Sequence, residues 1–171
     1  MKWRFAGKFL VSFAVLMVLW ARVDFGDHYR GAVLAVVQFL SPLVNGWQLE
    51  HDRPGDIADI VFHSGSSALP MLLQLPALSM GLVPFLSLVV ATPGQGGKRL
   101  AVNVALGSVL YFLVHVTVVL AYPLIMDRPN AVKDTLGVFT GLMAFVVAPL
   151  GLWFVLTYPA LRSLWQLGQD E

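Results

Sequence analysis

Four long apolar runs dominate this sequence and limit what it can fold into. They cover residues 5–21, 68–91, 100–126 and 135–158. A helix needs about 20 mostly apolar residues to cross the roughly 30 Å hydrocarbon core of a bilayer. Within lipid, the backbone must pair its own polar groups in a helix or a closed barrel. We therefore predict an all-α integral membrane protein with four transmembrane helices in a single membrane domain, residues 1–171.

The composition supports lipid as the solvent of this chain. Only 12% of the 171 residues are charged, 57% are hydrophobic, and the mean hydropathy is +0.74. Soluble domains carry about 25% charged residues. A net charge of +1 gives no general attraction to nucleic acid, so no nucleic-acid partner is expected. The sequence has no cysteine, which excludes disulfides, thiolate metal sites and thiol nucleophiles.

The first apolar run, residues 5–21, has two interpretations. Its basic start (Lys2, Arg4 and Lys8) and apolar core resemble a cleaved signal peptide. The core ends at residues 19–22 (LWAR), which lack the small residue expected three positions before a cleavage site. An uncleaved membrane anchor is therefore the favoured interpretation.

Lysine and arginine beside the spans predict the orientation through the positive-inside rule. Six of these residues flank one side of the spans and five flank the other, but the five are spread over a much longer loop. The local density of basic residues favours an orientation with both termini in the cytoplasm. Residues 22–67 then form a long extracytoplasmic loop.

This loop, residues 22–67, is the expected partner-binding surface, because long structured loops are uncommon without a function. Its apolar stretch 31–44 is too short to span and contains Pro42, so we predict an interfacial helix there. Pro54-Gly55 suits the centre of a type II turn, and the alternating residues before it favour a β-hairpin. The candidate contact residues are Tyr29, Trp47, His51, Arg53, Asp59 and His63.

The loop histidines also suggest metal binding as an alternative. His28, His51 and His63 lie among carboxylates, and these residue types bind hard or borderline metal ions. Their spacing matches no established ligand motif. Solvated polar side chains are the simpler interpretation, and no metal or other cofactor is predicted.

The glycine-rich stretch at residues 90–100 (VATPGQGGKRL) invites comparison with a phosphate-binding loop. That motif requires a glycine five positions before its Gly-Lys pair, a hydroxyl residue after the lysine, and a preceding strand. Here the two positions hold Thr92 and Arg99, and both flanks are apolar spans. We therefore predict a turn between two spans and no nucleotide partner.

The third span contains His115, the clearest candidate for an intramembrane site. Tyr111 lies one helical turn earlier and Ser108 about one turn before that, so the three form a polar stripe on one helix face. Ionisable groups at depth are costly and often functional, yet no span contains Asp or Glu for a proton relay. Interhelical hydrogen bonding, worth roughly 0.6 kcal/mol per contact, is favoured. A polar transport path through His115 is the alternative.

Several short stretches together resemble a known family. They are residues 8–10 (KFL), 19–20 (LW), Tyr29, 41–43 (SPL), 69–73 (LPMLL), 91–94 (ATPG) and 98–100 (KRL). Over residues 8–122 the chain is similar to the membrane proteins of exosortase and archaeosortase systems, most closely the exosortase H-associated membrane proteins. Exosortases resemble transpeptidases, process proteins that carry a C-terminal sorting signal, and use a cysteine nucleophile. Because this chain has no cysteine, the resemblance implies a non-catalytic companion.

The sequence therefore predicts a non-catalytic inner-membrane accessory protein that binds a membrane partner. The resemblance implies that this partner is an exosortase or the protein that an exosortase processes. The alternative function is a small transporter or channel component with a polar intramembrane path through His115. A membrane enzyme that works without cysteine is disfavoured, because no acid–base pair has a suitable spacing.

Overall fold

The structure, a computed structural model, describes residues 2–44, 46–51, 60–71, 81–126 and 130–166. Most of these residues are helical, and one small sheet lies at one end of the helices. The helices are α1 (Lys2–Arg22), α2 (Phe25–Val44), α3 (Leu82–Ala91), α4 (Gly97–Met126), α5 (Ala131–Leu142) and α6 (Ala148–Gln166). A π-helical segment, Met143–Val147, joins α5 to α6, and the strands are β1 (Gln48–His51), β2 (Ile60–Ser64) and β3 (Ser67–Pro70).

Three helical stretches are long and apolar enough to cross a membrane. They are Trp3–Arg22, Gly97–Met126 and Ala131–Arg162, the last of which combines α5, the π-helical segment and most of α6. These stretches correspond to the first, third and fourth predicted spans, each of which is confirmed as a long apolar helix. Three helices of this length and polarity indicate a membrane location.

The second predicted span, residues 68–91, is wrong in its first part. Ser67–Pro70 form strand β3, and the helix described in this region is α3, which has ten residues. Ten helical residues extend about 15 Å, half of what a bilayer requires. Residues 72–80 lie outside the part of the chain that the structure describes. The prediction failed because hydropathy counts apolar side chains alike, whether the backbone pairs within a helix or with another strand.

Helix α3 ends in the predicted turn. Thr92 takes an extended conformation (φ −63°, ψ 118°), because the ring of Pro93 disfavours a helical residue before it. Gly94 follows with φ +79°, which glycine adopts without steric strain. The chain then enters α4 at Gly97. A helix, not a strand, therefore precedes the glycine-rich stretch.

Helix α2 begins six residues before the predicted interfacial helix at 31–44. Its first turns contain Asp27 and Arg30, whose side chains form an ion pair one turn apart. Asp27 in the first turn also suits the positive end of the helix dipole. Each of these local interactions stabilises the first turns of the helix by a few tenths of a kcal/mol. Val33 and Val37 are buried on the face of α2 that packs against α4.

The three strands form an antiparallel sheet in the order β1-β2-β3. The antiparallel pairing of β1 with β2 confirms the two strands of the predicted hairpin, whose turn at Pro54-Gly55 lies outside the described residues. Strand β3 adds residues that the sequence assigned to a span. Leu49 and Phe62 are buried and directly opposite each other, and Phe62 stacks on Tyr122 of α4 with ring centroids 6.1 Å apart. We call this end of α4 the sheet end, and the end where residues 92–96 join α3 to α4 the turn end.

Two apolar cores run along α4. The first core lies at the sheet end, where α2, the sheet and α4 meet around Val37, Phe62 and Val119. The second core lies towards the turn end, where α3, α4 and α6 meet around Phe85 and Val89. Of the predicted intramembrane residues, Tyr111 belongs to the second core, and His115 lies one turn closer to the sheet end.

Candidate functional site

His115 lies on the buried face of α4, with only 1% of its surface exposed. Tyr111, one turn earlier, is fully buried, and the two ring centroids are 4.4 Å apart at an angle of 61°. Ser108 lies about one further turn away and is half-buried. The structure therefore places two members of the predicted polar stripe in direct contact, with the third at its margin.

Tyr29 joins this pair from α2. Its hydroxyl oxygen is 2.7 Å from Nδ1 of His115, and the two rings meet edge-on at 81°. When the imidazole hydrogen is on Nε2, Nδ1 accepts a hydrogen bond from this hydroxyl. Burial raises the pKa of Tyr29 above its ordinary value, and nearby Tyr111 raises it further, so the hydroxyl keeps its proton and donates. We call Tyr29, Tyr111 and His115 the tyrosine–histidine cluster.

The hydroxyl of Tyr111 points at the π-helical segment. Its oxygen is 3.4 Å from the carbonyl oxygen of Ala144, longer than an ordinary O–H···O hydrogen bond. π-Helical turns inside α-helices often occur at functional positions. A Cβ atom at Gly81 would collide with the Tyr111 hydroxyl and lie 3.1 Å from the carbonyl oxygen of Phe145. Position 81 therefore requires glycine.

Aromatic rings surround the cluster. Trp20 and Phe112 lie 6.3 Å and 5.9 Å from the ring of Tyr29. Phe85 stacks on Tyr111 at 6.2 Å, with an angle of 17° between the rings. These rings hold both tyrosines in place and keep water from their flanks. The cluster is therefore a preorganised hydrogen-bonding unit within apolar surroundings.

Of the remaining predicted contact residues, the side chains of Trp47 and His63 are described, and they lie in different surroundings. Trp47 belongs to the first core and is 9% exposed. His63 lies on the outer face of the sheet, where its Nε2 is 3.1 Å from a carboxylate oxygen of Glu50. Three predicted positions lie outside the described atoms: the side chain of His51, and all of Arg53 and Asp59.

The described histidines do not converge on a common point. Nδ1 of His28 is 3.0 Å from the backbone carbonyl oxygen of Asp24, one turn away, while His63 pairs with Glu50. No group of three His, Asp or Glu side chains that could hold a metal ion occurs within the residues that the structure places. The metal-binding alternative therefore gains no support from these residues.

A second polar group lies at the turn end, and the sequence did not predict it. The indole N–H of Trp153 donates to Oγ1 of Thr92 at 2.9 Å. The amide of Gln95 donates to the carbonyl oxygen of Val89 at 2.9 Å, and Asn103 donates to Gln95 at 2.7 Å. We call Thr92, Gln95, Asn103 and Trp153 the helix-end network. It adds side-chain donors to the carbonyl oxygens of Leu88 and Val89 at the end of α3, which also accept from the backbone N–H of Thr92.

An apolar groove of about 360 Å³ lies between α4 and α6. It is lined by Leu110, Leu113, Val114, Thr117, Val118 and Leu152. The hydroxyl of Thr117, its polar member, donates to the carbonyl oxygen of Leu113 in the same helix at 2.8 Å. This lining suits contact with lipid chains, and it includes no member of the tyrosine–histidine cluster.

The structure thus offers two candidate functional features: the buried tyrosine–histidine cluster and the sheet mounted on the end of α4. The similarity of residues 8–122 to exosortase-system membrane proteins stays a prediction based on sequence patterns. Comparisons with protein-family models, with curated proteins and with solved structures find no match for this chain.

Proposed function

We propose that the protein is a non-catalytic accessory protein of the inner membrane that binds another membrane protein through its sheet end. The observation that carries this proposal is the firm attachment of the sheet to α4. Phe62 is fully buried against Tyr122, and the Tyr122 hydroxyl donates to the carbonyl oxygen of Pro70 at 3.2 Å. The sheet is therefore a fixed extension of a membrane-spanning helix, which suits recognition of a partner in the same membrane.

The outer face of the sheet offers polar groups to such a partner. Gln48 and Glu50 are exposed, and His63 lies directly opposite Gln48 on the neighbouring strand. Hydrogen-bond donors and acceptors are thus available on one small surface. None of these three residues belongs to either apolar core, so a partner can cover the face without disturbing the fold.

The open edge of β3 is poorly suited to adding a strand from a partner. The N–H of Met71 donates to the carbonyl of Ile60 at 2.9 Å. Because hydrogen-bonded and non-hydrogen-bonded residue pairs alternate along two antiparallel strands, the backbone N–H and C=O groups of Ala68 and the carbonyl of Pro70 then face the open edge. Pro70 has no N–H, and its carbonyl oxygen accepts from Tyr122. We therefore expect a partner to contact the outer face through side chains.

The tyrosine–histidine cluster has a positioning role under this proposal. The hydrogen bond between Tyr29 and His115 joins α2 to α4, and β1 is the next element after α2 along the chain. The cluster thereby helps to set the angle at which α4 presents the sheet. Interhelical hydrogen bonds account for polar residues at depth without any chemical step.

The partner that we propose is an exosortase or the protein that it processes. The resemblance over residues 8–122 supports this choice. The basic residues beside the spans favour a cytoplasmic turn end and an extracytoplasmic sheet end. Exosortases use a cysteine nucleophile and this chain has none, which is why we propose a companion and not the enzyme.

Site-specific photo-crosslinking in native membranes tests the proposal. A photoreactive residue in place of Gln48, on the outer face of the sheet, should form an adduct with a co-expressed exosortase. The matched control is the same residue in place of Val155, which is 69% exposed on α6 and should form no such adduct. Equal adducts from both positions would contradict the proposal. So would no adduct from Gln48 and migration of the protein alone in mild detergent.

A transporter or channel component is the second candidate. The contact of Tyr29 with His115 and the approach of Tyr111 to Ala144 align polar atoms beside α4, and Ser108 extends this line. Under this proposal, His115→Phe should abolish proton flux in reconstituted vesicles, followed with a pH-sensitive dye. Unchanged proton flux would show that the cluster does not belong to a transport path.

A further inference from the structure

Five exposed basic side chains surround the turn end. They are Arg4, Lys8, Lys98, Arg99 and Arg162. They come from three different helices, α1, α4 and α6, and we call them the basic rim. No sequence motif connects them, so their proximity depends on how the helices pack.

Contacts between α4 and α6 place part of the rim at one level. Asn103 donates to the carbonyl oxygen of Leu156 at 3.2 Å, and Tyr111 approaches Ala144, so the two helices run antiparallel. From the Asn103 contact, Arg99 lies about 6 Å and Arg162 about 9 Å closer to the turn end. These two side chains therefore reach the same end of the molecule at nearly the same height.

Helix α1 brings the other members to this level. Oγ of Ser12 is 3.4 Å from the carbonyl oxygen of Ser87 in α3. Lys8 lies one turn before Ser12, which sets it level with the end of α3 at Ala91. Arg4 lies one turn further out. The rim thus places five positive charges at one end of the helices.

Acidic residues do not offset this charge within the described part of the chain. No Asp or Glu occurs in residues 2–23, 81–126 or 135–166. The described carboxylate side chains, Asp24, Asp27 and Glu50, belong to the sheet end. Two of them are already paired there, Asp27 with Arg30 and Glu50 with His63. Among the residues that the structure describes, the turn end therefore carries a net positive charge that the sheet end lacks.

The turn leaves two of the cations open to a ligand. A Cβ atom at Gly94, Gly96 or Gly97 would meet nothing within 4 Å. Lys98 and Arg99 occupy the first turn of α4, where the helix dipole disfavours positive charge. An anion bound beside them would offset this unfavourable interaction.

We propose that the basic rim binds the headgroups of anionic phospholipids in the leaflet at the turn end. α1 and α4 are long enough to cross a membrane, so their ends enter the headgroup region. Trp3, beside Arg4, is 89% exposed, and tryptophan favours this region. Clusters of four or more basic residues beside a span attract anionic lipids. The phosphodiester group of a lipid supplies the negative charge that would balance the positive charge of the rim.

Native mass spectrometry of the full-length protein in detergent, with phosphatidylglycerol or phosphatidylcholine added, tests the proposal. The unmodified protein should bind phosphatidylglycerol at least about tenfold more tightly. The variant K98Q/R99Q should bind it about 25-fold more weakly at low salt, about fivefold for each charge, with phosphatidylcholine binding unchanged. The matched control R22Q/K133Q removes two positive charges at the sheet end and should keep the preference.

Two further variants keep the test decisive. K98R/R99K retains both charges and should retain the preference, and Arg162→Gln alone should weaken binding about fivefold even where K98Q/R99Q fails to fold. Equal binding of both lipids by the unmodified protein would overturn the proposal, as would a preference that survives K98Q/R99Q. Displacement of the lipid by millimolar inorganic phosphate would identify a site for free phosphate and would overturn it equally.

Discussion

The two polar groups along α4 satisfy different requirements. In the helix-end network, side chains bond to backbone carbonyls such as that of Val89, directly or through one intermediate side chain. In the tyrosine–histidine cluster, Tyr29 and His115 bond side chain to side chain between two helices, where the backbone is already paired within each helix. Every helix end needs partners of the first kind. The second kind is not required by the backbone, so it marks a position specified by the fold or by function.

The largest expected effect comes from a substitution at a residue that lies outside the tyrosine–histidine cluster but contacts it. Gly81→Ala places a methyl group against the Tyr111 hydroxyl and the carbonyl of Phe145, and the Phe85 stack limits how far Tyr111 can move. We expect the free energy of unfolding to fall by about 1–3 kcal/mol, measured by SDS titration in mixed micelles.

Gly151→Ala is the matched control for this prediction. A Cβ atom there would meet nothing within 4 Å, and alanine favours a helix by about 1 kcal/mol over glycine. We therefore expect unchanged or slightly higher stability. Equal losses for Gly81→Ala and Gly151→Ala would show that the Tyr111 hydroxyl does not constrain position 81.

The next effect measures the bond that distinguishes the cluster. A double-mutant cycle with Tyr29→Phe and His115→Phe should give a coupling free energy of about 1 kcal/mol, within the range for hydrogen bonds between membrane helices. The same cycle with Tyr158→Phe in place of Tyr29→Phe should give nearly zero, because Tyr158 lies on α6 beside the contact of Leu156 with Asn103, which is about 18 Å along α4 from His115. A coupling near zero in both cycles would show that the hydrogen bond between Tyr29 and His115 does not stabilise the protein beyond ordinary packing.

Much of the fold could be predicted because lipid exposure depends on composition over about 20 residues. That criterion correctly identified the long helices α1 and α4 and the stretch from α5 to α6. It failed at Ser67–Pro70, because the hydropathy of these residues does not show that they form β3 and pair with β2. It also missed the first turns of α2, where polar residues such as Asp27 and Arg30 pair with each other and show no apolar pattern.

The site could be predicted only within one helix. Tyr111 and His115 share a face of α4 through the helical period alone, so the sequence linked them correctly. The sequence assigned Tyr29 to a contact loop. It could not reveal the bond of Tyr29 to His115, because the two positions are 86 residues apart. The requirement for Gly81 likewise comes from the Tyr111 hydroxyl and the Phe145 carbonyl, both distant in sequence.

A smaller effect tests the helix-end network. Trp153→Phe keeps an aromatic ring but removes the N–H that donates to Thr92. We expect a loss of about 0.6 kcal/mol in the free energy of unfolding, the average for one hydrogen bond between membrane helices. Trp3→Phe, at a position 89% exposed, should leave stability unchanged. A loss from Trp153→Phe as large as that from Gly81→Ala would remove the distinction in energy between the two polar groups.

The smallest expected effect on stability lies outside both groups, at the exposed pair of Glu50 and His63. Exposed ion pairs contribute about 0–1 kcal/mol, so Glu50→Gln should lower the free energy of unfolding by less than about 0.5 kcal/mol. If the outer face binds a partner, the same change should weaken crosslinking from Gln48, because it removes a charge from the contact surface. A large loss of stability would show that the face belongs to the framework of the protein. Unchanged crosslinking would move the partner-binding surface away from Glu50. Weaker crosslinking with unchanged stability would show that Glu50 contributes to partner binding and not to stability. The sheet face and the two polar groups between the helices would then have different roles.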